Sequence, residues 1–477
     1  MKVPRTLWMT CVVLVAGLGL ASAQTWTPLT NQPSFGASTA LLLQDGTIMV
    51  HDIGAADWWR LTPDANGSYV NGTWSQLASL PTGYAPLYYA SAVLPDGRVI
   101  VEGGEYNNFN QVWTTLGAIY NPKTNKWKKM NPPAGWTSIG DAQSVVLADG
   151  TFMLANCCTT DAALLSAKTL TWTPVGTGKA DIFDEEGWEL LPSGDVLTAD
   201  ANIPGDLSEI FTPATGVWAS AGGIGVHLVD SGSHELGPAV LRPDGTVFAV
   251  GATGHNAVYN TGAGTWAAGP DFPKVNGQLL DVADGPAALL PDGNVLTGAS
   301  PGVFRKNTRF FEFDGTNLTQ VAGTPNSPNF SSFEGRMLVL PTGQVLFTDG
   351  TSDVEIYTSV GVPNPSWAPV ITKVGKTLTH GKSYSVKGTQ LNGMSQAGAY
   401  GDDAQAATNY PIVRITNTAS GHVFYTNTTK PSSMGVATGN LVVTAHFSVP
   451  AGIELGASQL EVVANGIASN PVSVTIN

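Results

Sequence analysis

One pattern recurs along this chain and leaves few folds open to it. From Tyr88 to Gly104 the residues YYASAVLPDGRVIVEGG read as an apolar strand, a tight turn at Asp96-Gly97 and a second apolar strand closing on Gly-Gly. An Asp-Gly pair between apolar runs is a strong short-range hairpin signal. GAIYNP and NKWKKM follow as a third and a fourth strand, the last carrying Trp127. The hairpin returns as STALLLQDGTIMV, QSVVLADGTFML, WELLPSGDVLTA, AVLRPDGTVFAV, AALLPDGNVLTG and MLVLPTGQVLFT, which makes seven copies. Their turns begin at Asp45, Asp96, Asp149, Ser193, Asp244, Asp292 and Thr342, so the spacings are 51, 53, 44, 51, 48 and 50 residues. A period near fifty with four short strands per unit predicts propeller blades, sheets that bury their faces only against neighbours in a ring. A β-sandwich with unrelated hairpins does not need turns matched at this regularity.

The ends of the repeat region carry the next signals. TWTPL, just after Gln24, resembles the outer-strand segment TWTPV at Thr171, so it is expected to pair with the far end of the repeats and close the ring. Trp74, Trp127, Trp172, Trp218 and Trp266 recur at one phase of the outer strands and read as packing residues. The repeats stop at VEIYTS, and GVPNPSWAP follows as a Pro-rich linker. Beyond it ITKV, SYSVKG, IVRITN, LVVTAHFSV, QLEVVAN and VSVTIN alternate without the Asp-Gly period. The predicted fold is therefore all-β: a seven-bladed kelch-type β-propeller over 24–367, then an immunoglobulin-like β-sandwich over 368–477. Within the second part, LNGMSQAGAYGDDAQAATNYP is poor in strand formers and long enough to reach toward the propeller.

Composition narrows the partners. A formal net charge of -14 argues against nucleic acid and anionic membranes, which reward clustered Lys and Arg, and disfavours polyanionic substrates. Residues 1–23 join Lys2 and Arg5 to an apolar run and end in Ala21-Ser22-Ala23, the pattern of a secretory signal cleaved before Gln24. A secreted or periplasmic protein, expected as a monomer, follows from that reading. Cleavage would remove Cys11 and leave Cys157 and Cys158 adjacent in ANCCTT. In an oxidising compartment the two can close on each other, the alternative being two packed thiols. Zinc is not expected, because no second Cys/His cluster accompanies them.

Counting eight residues back from each turn gives Ala37, Tyr88, Asp141, Glu185, Leu236, Asp284 and Glu334, with Glu235 beside the leucine. In a propeller these positions lie on one face, opposite the Asp-Gly turns. Carboxylates crowded around a narrow channel raise one another's pKa, which is what acid–base chemistry on a neutral sugar requires. Glu185 and Glu334 are the expected acid and base or nucleophile, with Asp141 and Asp284 as the competing pair. The loops of the same face add Trp58 and Trp59, Glu105 and Tyr106, Cys157 and Cys158, Asp200 and Asn202, His255 and Arg305. Of these, Trp58, Trp59, Tyr106, Cys157, Cys158, His255 and Arg305, with Tyr88 and Glu235, are the expected substrate-binding residues. The acids could instead hold loop amides or a calcium ion.

A secreted seven-bladed kelch propeller followed by such a sandwich resembles the galactose oxidase and glyoxal oxidase family, across essentially the whole mature chain. That resemblance implies an early-set class for the C-terminal sandwich. It also implies a copper site built from a tyrosine cross-linked to a cysteine, a Tyr-His pair and a C-terminal histidine. Aligned on the hairpin turns, Tyr88 takes the place of the cross-linked tyrosine. Thr39 falls at the cysteine, Phe333-Glu334 at the Tyr-His pair and Gln405 at the last histidine. Phenylalanine offers no ligand, so copper and radical oxidase activity are not expected. The expected function is that of a secreted carbohydrate-active protein, a glycoside hydrolase acting on a neutral poly- or oligosaccharide with no cofactor. The alternatives are a non-catalytic glycan- or calcium-binding propeller, and a lyase or isomerase using Tyr88 or His255 as base.

Overall fold

The computed structural model describes residues 24–401, 403 and 406–477. The expected signal segment 1–23, with Cys11, and the position Gln405 lie outside the described residues. The described chain is strand and turn throughout, with three short 3-10 turns and no α-helix.

Seven antiparallel sheets carry the seven hairpins. At every hairpin the glycine N–H donates to the carbonyl three residues earlier, as in Gly46 to Leu43 at 2.9 Å and Gly293 to Leu290 at 2.9 Å. These glycines are left-handed, with φ of 77° at Gly46 and 88° at Gly293, a conformation a side chain would strain. Asp45, Asp96, Asp149, Asp244 and Asp292 each add a carboxylate bond to the amide two residues on, which explains the residue before the glycine.

Blades one to five each take four strands in chain order, from Ala37–Leu42 outward to Thr73–Gln76 in the first. Blade seven runs Arg336–Val339, Val345–Thr348 and Glu355–Thr358, and its outer strand is Thr25–Pro28 from the other end of the chain. Thr25 pairs with Thr358 and Pro28 with Glu355. The inner strand of blade seven lies against those of blades six and one, so the ring is closed.

The outer-strand tryptophans join neighbouring blades. Trp26 Nε1 donates to Ala322 O, Trp74 to Asn31 O, Trp127 to Ala78 O and Trp172 to Asn131 O, at 2.6 to 2.9 Å. Each ring fills the gap between sheets while its N–H satisfies a carbonyl of the chain leaving the preceding blade.

C-terminal to residue 369 two sheets face each other across Val386, Val413, Ile415, Val443, Phe447, Leu460 and Val462, all buried. The strand-poor insertion leaves this sandwich and enters the propeller. Its strand Gly398–Tyr400 pairs with the inner strand of blade six, Pro286–Leu289, and becomes a fifth strand on the axial side.

Candidate functional site

The residues eight before the turns converge where the expected channel should open. Tyr88, Asp141, Glu185 and Asp284 line a cavity of about 370 Å³ on the ring axis, and Glu235 and Phe333, next to two further such positions, line it too. Tyr88, Glu185 and Asp284 are left-handed, with φ of 47°, 61° and 48°. Non-glycine residues adopt that conformation sparingly, and it concentrates where a fold must aim a side chain against local preference. At Tyr88 and Asp284 it turns the chain into the inner strand that begins two residues on.

The lining divides by blade. Tyr106, Tyr88, Phe333 and Phe304 come from blades two, seven and six and touch in sequence, with ring centroids 6.1, 6.5 and 5.3 Å apart. Carboxyl groups fill the rest of the circle: Glu105 from blade two, Asp141 from three, Glu185 from four, Glu235 from five and Asp284 from six. Ser233 completes the lining, and among the described residues no basic side chain belongs to it.

Glu185, Glu235 and Asp284 bring one oxygen each within 4.8 Å of one another, and Glu235 hydrogen-bonds to both partners. Carboxyl groups bonded to one another must share protons. Burial holds Glu185 well above the usual carboxylate range, and the charges of Asp284 and Asp184 add to the effect. Asp284 is pushed up to about 7, by burial first and then by Asp403, with Arg336 opposing. Burial also raises Glu105, against hydrogen bonds from Gln111 and Tyr106. The Tyr88 phenol is raised by burial, so it stays neutral. Near neutral pH the cavity therefore stores protons close to an aromatic wall.

The inserted C-terminal strand supplies the support. Tyr400 Oη donates to Phe333 O at 2.6 Å, and the buried Arg336 lays its guanidinium 3.5 Å from the Tyr400 ring centroid and 5.9 Å from that of Tyr88. Arg336 Nη1 donates to the carbonyls of Phe333 and Gly335, at 2.7 and 2.8 Å. Gly401 passes so close to the acids that a Cβ there would stand 2.0 Å from Asp284 Oδ1. Sequence reasoning missed Phe304, Ser233, Tyr400 and Asp403. For the last two the strand-poor insertion was the available signal.

Several expected site residues lie elsewhere. Glu334 Oε2 accepts from the Ser331 N–H at 2.7 Å and caps a 3-10 turn, so it does not line the cavity. Trp58 is buried against His51 and Trp127, and Trp59 stacks on Phe35 at 4.9 Å, because strand alternation in blade one sends both rings between sheets. His255 pairs with Asp271 at 2.9 Å outside the cavity, and Arg305 is exposed while its neighbour Phe304 faces in. Cys157 and Cys158 form a vicinal disulfide whose sulfurs lie 3.5 and 3.3 Å from Asp184 Oδ1, behind Glu185 and not in the lining. Asp200 belongs with Glu186 and Glu209 to a buried cluster around Lys179. Asn202 donates to Asp184 O.

No protein-family model matches the sequence, and no curated protein matches it. Among solved structures the chain is similar to a fungal alcohol oxidase of the AA5 family in complex with copper. Identity is 13%, the TM-score is 0.52, and the match covers 96% of this chain and 100% of that one. What the two share is the fold. A streptogramin B lyase is 10% identical at a TM-score of 0.49, covering 70% of this chain and 97% of its own. The WD40 β-propeller domain of Doa1 is 11% identical at 0.45, covering 71% and 97%. The copper of the AA5 oxidase invites a comparison of donors. The cavity lining offers phenols, carboxyls, a hydroxyl and phenyl rings, with no imidazole or thiolate. Phe333 has no donor, Glu334 is engaged by the Ser331 amide, and Thr39 hydrogen-bonds Tyr89. Such a donor set does not fit a cupric ion of the kind that imidazole and phenolate hold. Among the described residues no helix is long and apolar enough to cross a membrane.

Proposed function

We propose that this is an exported carbohydrate-active protein that cleaves a glycan free of acidic groups in the propeller mouth by acid–base chemistry. The observation that carries the reading is a proton-sharing carboxyl cluster walled by aromatic rings inside a cavity. A vicinal disulfide accords with an oxidising compartment, and the donor set gives no reason to invoke copper.

Glycoside hydrolysis needs an acid on one side of the scissile bond and a carboxylate on the other, about 5–5.5 Å apart in retaining and about 6.5–9.5 Å in inverting enzymes. Glu185, Glu235 and Asp284 are too close together to flank a glycosidic bond among themselves. In this reading they act as one proton reservoir: Glu185 donates to the departing oxygen, with Asp284 and Glu235 restoring its proton. Asp141, from the adjacent blade three, is the carboxylate that attacks or activates water. Tyr88 and Tyr106 orient the sugar ring. This replaces Glu334 with Asp141 in the catalytic pair.

The test is a glycan screen with product analysis on the full chain and on Glu185→Gln and Asp141→Asn. Turnover should fall about 100-fold or more in both variants, as loss of a general acid or base commonly costs. Binding without turnover, unchanged by either substitution, would sink the catalytic reading. One observation favours a second reading: three carboxyl oxygens this close could hold a calcium ion. In that case added calcium should raise the melting temperature and a chelator reverse it, both effects vanishing in Asp284→Asn.

A further inference from the structure

We propose that the mouth cavity recognises a protonated amine, so that the glycan it takes carries an amino group. This rests on the reading of the cavity as the glycan site, and it adds the substrate's charge.

The cavity lining is rich in acids and, among the described residues, holds no basic side chain. Five of its residues carry carboxyl groups and none carries a positive charge. Arg336 is buried behind the wall, its guanidinium given to the Tyr400 ring and to the carbonyls of Phe333 and Gly335. A neutral ligand would therefore leave the charge that the acids carry opposed only by Arg336 behind the wall, and an acidic one would add to it.

The aromatic wall supplies the second half. Tyr106, Tyr88, Phe333 and Phe304 form a continuous arc, neighbouring rings tilted by 67°, 48° and 80°, opposite acids from blades three to five. A group entering the cavity meets π-systems on one side and carboxyls on the other. Ring faces and carboxylates together are the environment that favours an ammonium group, and ring faces attract cations wherever solvent is excluded. Phe304 shows that the arc is more than core packing. It is 47% exposed, held at a left-handed φ of 58°, and touches Phe333 at the rim. An exposed phenylalanine on a strained backbone gains little from the fold itself, and a ligand at the rim accounts for it.

Calorimetric titration of the full chain with glucosamine, tetramethylammonium, glucose, N-acetylglucosamine and glucuronate tests this. Glucosamine should bind about tenfold more tightly than glucose or N-acetylglucosamine, and glucuronate should bind weakest. Phe304→Ala and Tyr106→Ala change side chains at the rim that the fold does not need, and each should reduce the glucosamine preference about threefold or more. Equal affinity for glucosamine and its N-acetylated form, or no binding by any amine probe, would overturn the inference. Cleavage of unsubstituted neutral oligosaccharides without amine preference would overturn it and leave the glycosidase reading standing. Amine binding without cleavage of any oligosaccharide would do the reverse.

Discussion

Asp284 is the residue on which most of the site's electrostatics converge, and its environment has a consequence for stability. Its folded-state pKa is about 7, raised by burial and by Asp403, whereas an exposed aspartate titrates near 3.9. Between those values the folded chain keeps a proton that the unfolded chain has released. Linkage then requires stability to fall as pH climbs from about 4 to about 7, with no contribution below that window and the full penalty above it. Asp284→Asn keeps the shape and removes the titration. Its melting temperature should decline less than the parent's between pH 4.5 and 7.5, by a few degrees. Parallel declines would mean that Asp284 is already ionised at the acid end. Glu334 is placed differently at an equivalent chain position: a backbone amide donates to its carboxylate outside the cavity.

Among the elements, the inserted strand Gly398–Tyr400 decides how Asp284 is held at the cavity. Ala399 pairs with Ala287 and Tyr400 with Pro286, which carries Gly401 past Asp284 with no room for a side chain. Gly401→Ala should therefore push the Asp284 carboxyl out of its contact with Glu235. Ligand affinity at the mouth should drop about tenfold or more while the denaturation midpoint moves little, because the strand pairing itself is untouched. An unchanged affinity would show that the Asp284 position does not depend on this contact. The same elements show what the sequence could tell. The hairpins were legible because their turn chemistry is local: Asp244 binds the amide two residues on, and Gly245 supplies the left-handed residue. The acids of the site were legible through the repeat period, which put Asp141, Glu185 and Asp284 at one phase. Trp58 and Trp59 were misread because their direction depends on which sheet face a neighbouring blade covers, a tertiary property. Glu334 was misread because a 3-10 turn, Ser332–Glu334, displaces it and presents Phe333 instead.

For the whole molecule, the question is what keeps a ring of weakly interlinked sheets closed. Each blade buries its faces only against two neighbours, so an open ring would expose two sheet faces and a free outer strand position in blade seven. The Thr25–Pro28 strand removes that vulnerability, and Trp26 is its anchor. Its ring lies 4.8 Å from Phe310, 5.5 Å from Phe347 and 4.8 Å from Tyr357, bridging blades six and seven, and its N–H is held by Ala322 O. Truncation at this position removes partly buried aromatic area and a hydrogen bond, so Trp26→Ala should cost about 3 kcal/mol. The effect should not remain local. Losing the closing strand loosens blade seven, whose inner strand begins at Arg336, three residues after Phe333, so the aromatic wall of the cavity should loosen with it. Hydrogen exchange should then accelerate together in Thr25–Pro28, in all of blade seven and in the inner strand of blade one. Acceleration confined to Thr25–Pro28 would mean instead that the inner-strand contacts hold the ring without the N-terminal strand, and that the cavity owes its shape to the axis alone.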